Sequence, residues 1–394
     1  MKIKPFLTLP WFLAAGNAFG AGFYLPNQDA FATARGNAFV ATADDPSAVF
    51  YNPAGLTQIN RPELELGVYA INLGNQATVA GVDYDADSQW QEAPHLFYAN
   101  PINDQLTFGF GLNSPYGLGT EWGQNTPFRT VVTEGRLMFI SATAAVAWKI
   151  DETLSLGLSV SGNYSKLILA QGLGFFPTDY LSFEGDGYSV SAGLGLRWQP
   201  NEHHAVGLTV NSPTSTDLNG TLSSNVLATG PARLDFATPL RAAIGYSYRP
   251  APGWNIEADI EWLDWDSLNS WTLRGKTLPG YARPVTFNWK SSFIYEIGAS
   301  YVSETGWRFA AGYDYNSNAQ PDANYTPSVA DANRHWLNAG VGHDYKDWSW
   351  FLAYQFGFAD RTVSGAGTTP AGQTANGKYE SRDTAVVLTL KHSF

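Results

Sequence analysis

No cysteine occurs in the 394 residues, so disulfide stapling is excluded. That fits an envelope protein and a cytosolic one alike, and decides little. Charge is scarce as well. Only 15% of residues are Asp, Glu, Lys or Arg, where a soluble domain carries about a quarter. Long apolar runs are missing, and a mean hydropathy of −0.19 rules out a helical membrane protein. Basic excess is absent too: the net charge of −12 argues against a nucleic-acid partner.

Aromatic residues and glycine are plentiful, with 14 Trp, 20 Tyr, 23 Phe and 39 Gly. Membrane barrels replace charge with glycine and interfacial Trp and Tyr in this way. Residues 1–20 read as a secretory signal. Lys2 and Lys4 supply the positive start, Phe6 to Ala15 the apolar run, and Ala18-Phe19-Gly20 the small-residue cleavage site. The run is too short to span a bilayer as a helix. Cleavage after Gly20 takes the net charge from −12 to −14, ordinary for a protein facing lipopolysaccharide.

From Glu63 to Phe394 the chain alternates apolar and small or polar residues. Leu154 to Ser161 and Tyr188 to Trp198 are the clearest cases, each with one face for lipid and one for a tight or polar interior. A soluble β-sandwich alternates too, but the signal, the very short turns and the C-terminus weigh against it. Short turns fall near 101–104, 151–153, 200–202, 250–253, 303–305 and 346–347. Longer connections fall near 74–92, 115–133, 169–184, 213–231, 265–284, 317–332 and 361–378. The alternation implies an all-β, antiparallel outer-membrane barrel of about fourteen strands (63–394), whose closure leaves no open edge. Trp148, Trp198, Tyr248, Trp254, Tyr301, Trp307, Tyr345 and Trp348 flank the short turns and form an expected periplasmic aromatic ring.

Residues 21–62 lack alternation. Within them Asp44 to Leu56 carries Pro46, Pro53 and the step Asn52-Pro53, which forbid a long helix or a central strand. Val49, Phe50, Tyr51 and Leu56 still need burial, so the segment is expected inside the barrel as a plug.

Asn52-Pro53-Ala54 after its Asp-rich lead resembles the N-terminal hatch of the FadL family of outer-membrane transporters for hydrophobic compounds. The likeness extends through Ala21-Gly22-Phe23, Arg61-Pro62, Pro101 to Gln105, Asn113 to Trp122, Asp264 to Leu268 and Asp331 to Gly340. It implies capture in a loop groove, an internal pocket, and sideways exit at a kink in the third strand. The ligand so implied is a long-chain fatty acid first, or a neutral hydrocarbon such as a monoaromatic or alkane. Gly109, Gly111, Pro115 and Gly117 fall where the kink is expected, with Asn52, Pro53 and Ala54 against it as the gate. Leu173, Phe175, Phe176, Leu181 and Phe183 form an unusually apolar extracellular segment suited to capture. Lys166 and Lys290 fall where the family's pocket holds a carboxylate, although either can instead snorkel to the headgroups. Trp262, Trp265 and Trp271 belong to the mouth or to the outer girdle.

The terminal strand, Thr384 to Phe394, resembles the signal read by the outer-membrane assembly machinery, with Phe394 as its mark. No cofactor, no metal site and no catalytic residue is expected, and the chain is expected to be a monomer. A lipid hydrolase would need a Ser–His pair at the bilayer rim. His343 and His392 lie near that rim without an evident serine. A general porin would need no plug.

Overall fold

The computed structural model describes residues 22–87, 89–275 and 282–394; the proposed signal, 1–20, lies outside them. Fourteen antiparallel strands form the wall. They are β1 (Glu63–Asn72 and Asn75–Val79), β2 (Val82–Asp85 and Trp90–Pro101), β3 (Leu106–Asn113 and Gly117–Glu121), β4 (Glu134–Lys149), β5 (Leu154–Gln171) and β6 (Leu181–Asn201). Then come β7 (His204–Asn211 and Thr214–Ser224), β8 (Gly230–Thr238 and Leu240–Tyr248), β9 (Trp254–Asp264 and Ser270–Gly275), β10 (Ala282–Thr286 and Ser292–Val302) and β11 (Trp307–Asn316). Last are β12 (Arg334–Tyr345), β13 (Trp348–Val363) and β14 (Gly377–Ser393). β1 pairs with β14 from Glu63–Ser393 to Asn72–Thr384, which closes the cylinder.

Period-two alternation decides what faces lipid. On β5, Leu158 and Val160 are 62% and 58% exposed, while Ser155, Ser159, Asn163 and Ser165 turn inward and are buried. The aromatic ring forms at the short-turn end. Seven of its eight side chains are exposed, and half-buried Tyr301 packs on Trp254 with ring centroids 5.1 Å apart. Four stretches expected as loops contain strand instead: 214–224 pairs with 230–238, 75–79 with 82–85, 117–121 with 134–138 and 270–274 with 282–286. The Thr- and Val-rich outer parts of the first two continue the ladders above the wall.

Residues 22–62 pack in the lumen as α1 (Ala30–Ala34), α2 (Ala48–Tyr51) and a 3₁₀ turn (Pro53–Gln58). Irregular backbone buried there must find partners. Asp29 caps α1 at Ala32 N (2.7 Å), and Asn52 caps the 3₁₀ turn at Ala54 N (3.1 Å). The turn between the helices, closed by Ala43 N donating to Phe39 O at 2.8 Å, is held by two carboxylates of β9. Asp259 accepts Phe39 N and Val40 N, each at 2.8 Å; Glu257 accepts Ala41 N at 2.7 Å and pairs with Arg35 at 3.1 Å. Phe31, Phe39, Val49, Tyr51 and Leu56 fill one apolar cluster with wall residues Tyr69, Phe97 and Phe351.

Candidate functional site

The wall is interrupted at β3. Its lower half pairs with β2 over Thr107–Leu112 and Leu96–Pro101. Its upper half, Gly117–Glu121, pairs only with β4, and the facing part of β2, Trp90–His95, pairs with β1. Among the described residues no ladder joins these two upper halves. The break falls at Ser114, Pro115 and Tyr116, because proline offers no ladder N–H and the chain bends away. The N-terminal segment enters the break: Leu25 N donates to Pro115 O (2.9 Å) and Gly117 N to Phe23 O (3.0 Å). Among the described residues two hydrogen bonds bridge the gap: Gln91 Nε2 donates to Gly119 O at 2.8 Å, and Asp87 N donates to Glu121 O at 2.8 Å.

A cavity of about 310 Å³ passes through this gap. Lumen-facing Tyr24, Tyr69 and Trp336 line its inner part. Its outer part is lined by Met138 and Arg136, whose side chains are on the outer face of β4 and are 44% and 58% exposed. One space therefore touches both the inside and the outside of the barrel.

A second chamber of about 380 Å³ lies above it, toward the long loops. Leu181, Phe183, Phe236, Trp271, Phe287 and Trp289 line it, and it shares Phe23 and Leu137 with the gap cavity. No Lys, Arg or His is among its described lining residues. Trp265 and Trp271 belong to the apolar cluster around this chamber, whereas half-buried Trp262 points outward.

Several expected site residues stand elsewhere. Lys166 shares the outward face of β5 with Leu158 and Val160, and its Nζ pairs with Glu184 at 2.6 Å; it does not enter the pocket. Lys290 is exposed, while Phe287 and Trp289 on the opposite parity turn into the chamber. Asn52, Pro53 and Ala54 do not abut the gap. They lie on β5 and β6, where a Cβ at Gly157 or Gly195 would overlap them, and Asn52 Nδ2 donates to Leu196 O (3.1 Å). Gly109 and Gly111 lie in regular ladder. A Cβ at Gly109 would come within 2.6 Å of Val49, so its bareness makes room for the plug. Pro115 and Gly117 do sit at the break.

The capture segment divides. Leu181 and Phe183 line the chamber and Leu173 packs against that cluster, while Phe175 and Phe176 are 68% and 44% exposed on the loop. Buried Asp179 shapes this loop. It accepts Leu173 N (2.8 Å), Phe175 N (2.5 Å), Phe176 N (3.0 Å) and Arg129 Nη2 (2.7 Å). Burial by itself would raise the carboxyl, but the N–H donors of Leu173 and Phe176, then Arg129 and Phe175, outweigh it and hold it below the usual carboxylate range. Its contribution is thus complete above the unfolded value of about 3.9 and is lost only as pH falls below it. Asp179→Ala is expected to make residues 171–181 cleavable by added protease at pH 7, with the barrel intact.

Where the plug meets β1, Asp29, Asp45 and Glu65 bring buried carboxylate oxygens within 4.8 Å of one another. Burial, then the charge of Asp29, pushes Asp45 up to about 7. A raised carboxyl stabilises the seated plug below pH about 4, and that contribution fades as pH rises through about 7. Hydrogen exchange around residues 44–52, corrected for the intrinsic rate, is expected to be faster at pH 8 than at pH 5. Asp45→Asn should flatten the difference.

Phe23 entered the sequence reading only through the family likeness, and Tyr24, Tyr69, Phe287 and Trp289 were not assigned to the site. For Phe287 and Trp289 the alternation itself was the signal, since it sets them opposite Lys290.

A family model described as outer membrane protein transport protein (OMPP1/FadL/TodX) matches residues 11–394. A long-chain fatty acid transport protein of Salmonella typhi is 24% identical over 391 residues, covering 87% of this chain and 88% of that one. Among solved structures, a Pseudomonas aeruginosa FadL homologue superposes with a TM-score of 0.85 at 19% identity, covering 95% of this chain and all of the other. The Pseudomonas putida toluene transporter TodX gives 0.74 at 18% identity, with 93% and 98% covered.

Proposed function

Because the chain belongs to the OMPP1/FadL/TodX family of outer membrane transport proteins, we propose that it admits hydrophobic compounds across the bacterial outer membrane by passive diffusion. Ligand enters the upper chamber, moves past Phe23 and Leu137 into the gap cavity, and leaves sideways between β2 and β3. The observation that carries this reading is the single cavity touching lumen-facing Trp336 and lipid-side Met138. A dry route matters because each CH₂ exposed to water costs about 0.8 kcal/mol.

The chamber favours uncharged ligands such as monoaromatics or alkanes. It offers a carboxylate no cation among its described lining, and buried Glu257, Asp259, Glu261, Glu296 and Asp314 make the neighbouring lumen acidic. A long-chain fatty acid is the second reading, favoured by Arg334 on the gap cavity. That guanidinium already faces Asp383 at 3.3 Å, so a carboxylate would compete for it.

Transport without hydrolysis belongs to the same reading. His392 Nδ1 lies 3.0 Å from Asp347 O, and His343 packs on Trp307. So do assembly through exposed Phe394, contact with lipopolysaccharide, and a monomeric barrel. Uptake of labelled toluene and oleate by a host lacking its own transporter of this kind tests it. Wild-type protein is expected to raise toluene uptake more than oleate uptake, and Lys166→Ala with Lys290→Ala to change either by less than twofold. A tenfold loss of oleate uptake in that variant would restore the lysines to the site.

A further inference from the structure

The small-polar inward face that makes β5 and β6 so regular in the sequence has no part in the apolar route. It lines a third space, about 50 Å³, between the plug at Val49 and Phe50 and the inner faces of β4 to β8. Where a water needs roughly 10–15 Å³ in this measure, the space holds about three to five water-sized groups, enough for a polar head and too little for a ring. Tyr116 and Phe139 line both it and the gap cavity, so the two spaces adjoin.

Its hydrogen bonding leaves donors over. Thr143 Oγ1 and Ser161 Oγ share one bond at 2.8 Å, so one of the two hydroxyl hydrogens goes unused among the described residues. Ser141 Oγ donates to Asn163 Oδ1 (2.7 Å), and Asn163 Nδ2 donates to Ser191 Oγ (3.1 Å), which leaves the Ser191 hydrogen unspent. Buried Ser189 Oγ, the next inward position on β6, has no hydrogen-bond partner among the described residues. Arg241 closes the space, but its charge is committed: it pairs with Glu261 at 3.1 Å, contacts the Tyr24 hydroxyl, and stands over the Tyr24 ring at 4.4 Å. The site has hydroxyl donors to offer and no free positive charge.

We propose that this hydroxyl-lined space is a head-group subsite that accepts an uncharged oxygen acceptor, such as a ketone or aldehyde carbonyl, of a ligand whose apolar body lies against Tyr116 and Phe139. It rests on the transport reading above and deepens it: the protein distinguishes oxygenated from plain hydrocarbons. An anion is disfavoured there because Glu261 already neutralises Arg241.

Calorimetric titration of the purified barrel in detergent compares acetophenone, ethylbenzene and benzoate, which share a ring and differ in the head. Acetophenone is expected to bind about tenfold tighter than ethylbenzene and tighter than benzoate. Thr143→Val combined with Ser161→Ala, which removes both hydroxyls of the pair and with them its unused hydrogen, should erase most of that preference while leaving ethylbenzene affinity within twofold. Ser191→Ala, which removes the other unspent hydrogen, is the second variant if the first does not assemble. Equal affinities for acetophenone and ethylbenzene in the wild type would mean the space holds water alone, and would overturn the subsite while the transport reading stands. A preference that persists in both variants would also overturn it, as would tighter binding of benzoate. Binding of none of the three would remove the transport reading and the subsite together.

Discussion

Gly117→Trp is expected to lower uptake of hydrophobic ligands more than tenfold while the barrel still shows its heat-modifiable shift on gels. Gly117 lines the gap cavity just after the break in β3, and the nearest atom to a Cβ there is Leu25 Cδ1 at 2.8 Å, the end of a flexible side chain. A small substituent is accommodated by a leucine rotamer change, so Gly117→Ala should keep most of the activity. An indole instead occupies the cavity between Tyr24 and Met138, on the proposed exit path. Graded loss from Ala through Leu to Trp is the signature of a blocked exit. A variant that unfolds the barrel would lose heat-modifiability along with uptake.

Glu257→Ala carries the second large effect, on the plug. The Arg35–Glu257 pair is fully buried on both sides, and Glu257 also accepts the N–H groups of Ala41 and Thr42. Removing one partner of such a pair strands a buried charge and costs about 3–5 kcal/mol. Each 1.4 kcal/mol is tenfold, so the displaced plug should become roughly two to three and a half orders of magnitude more populated. Its sign is gained leakiness: ion conductance in planar bilayers, near zero for the wild type, should appear in Glu257→Ala. Glu257→Gln keeps an acceptor for the backbone and should fall between them. Unchanged conductance would show that the apolar cluster of Phe31, Phe39 and Leu56 seats the plug unaided.

The barrel was legible because its signal is repeated. About fourteen alternations, with Trp or Tyr of the ring beside five of the six short turns, survive errors at any single strand. The loops at 213–231 and 74–92 were misjudged because Thr, Ser and Gly read as loop residues by composition, yet they pair well once neighbouring ladders continue upward. The lysines show what resemblance can hide. Ser155, Ser159, Asn163 and Ser165 share one parity on β5 and Lys166 has the other, so counting along the strand already turns it to lipid. Gly109 and Gly111 were assigned to the exit as strand breakers. They instead stay in the ladder and admit Val49 and Phe97 at close range. Pairing between distant segments, such as Phe23 to Leu25 against Pro115 to Gly117, leaves no local trace in composition or period.

The most direct test of sideways release is where a ligand can be caught. Decane carrying a diazirine, photolysed in cells that make the protein and mapped by peptide mass spectrometry, reports the residues along its path. Sideways exit predicts labels at Trp271 or Trp289, then Tyr24 and Tyr116, then Met138 on the outer face of β4. Labels that skip Met138 and appear instead along Asn52 to Ala54 and the inner faces of Gly157 and Gly195 would mean passage straight down through the plug, and would contradict the account.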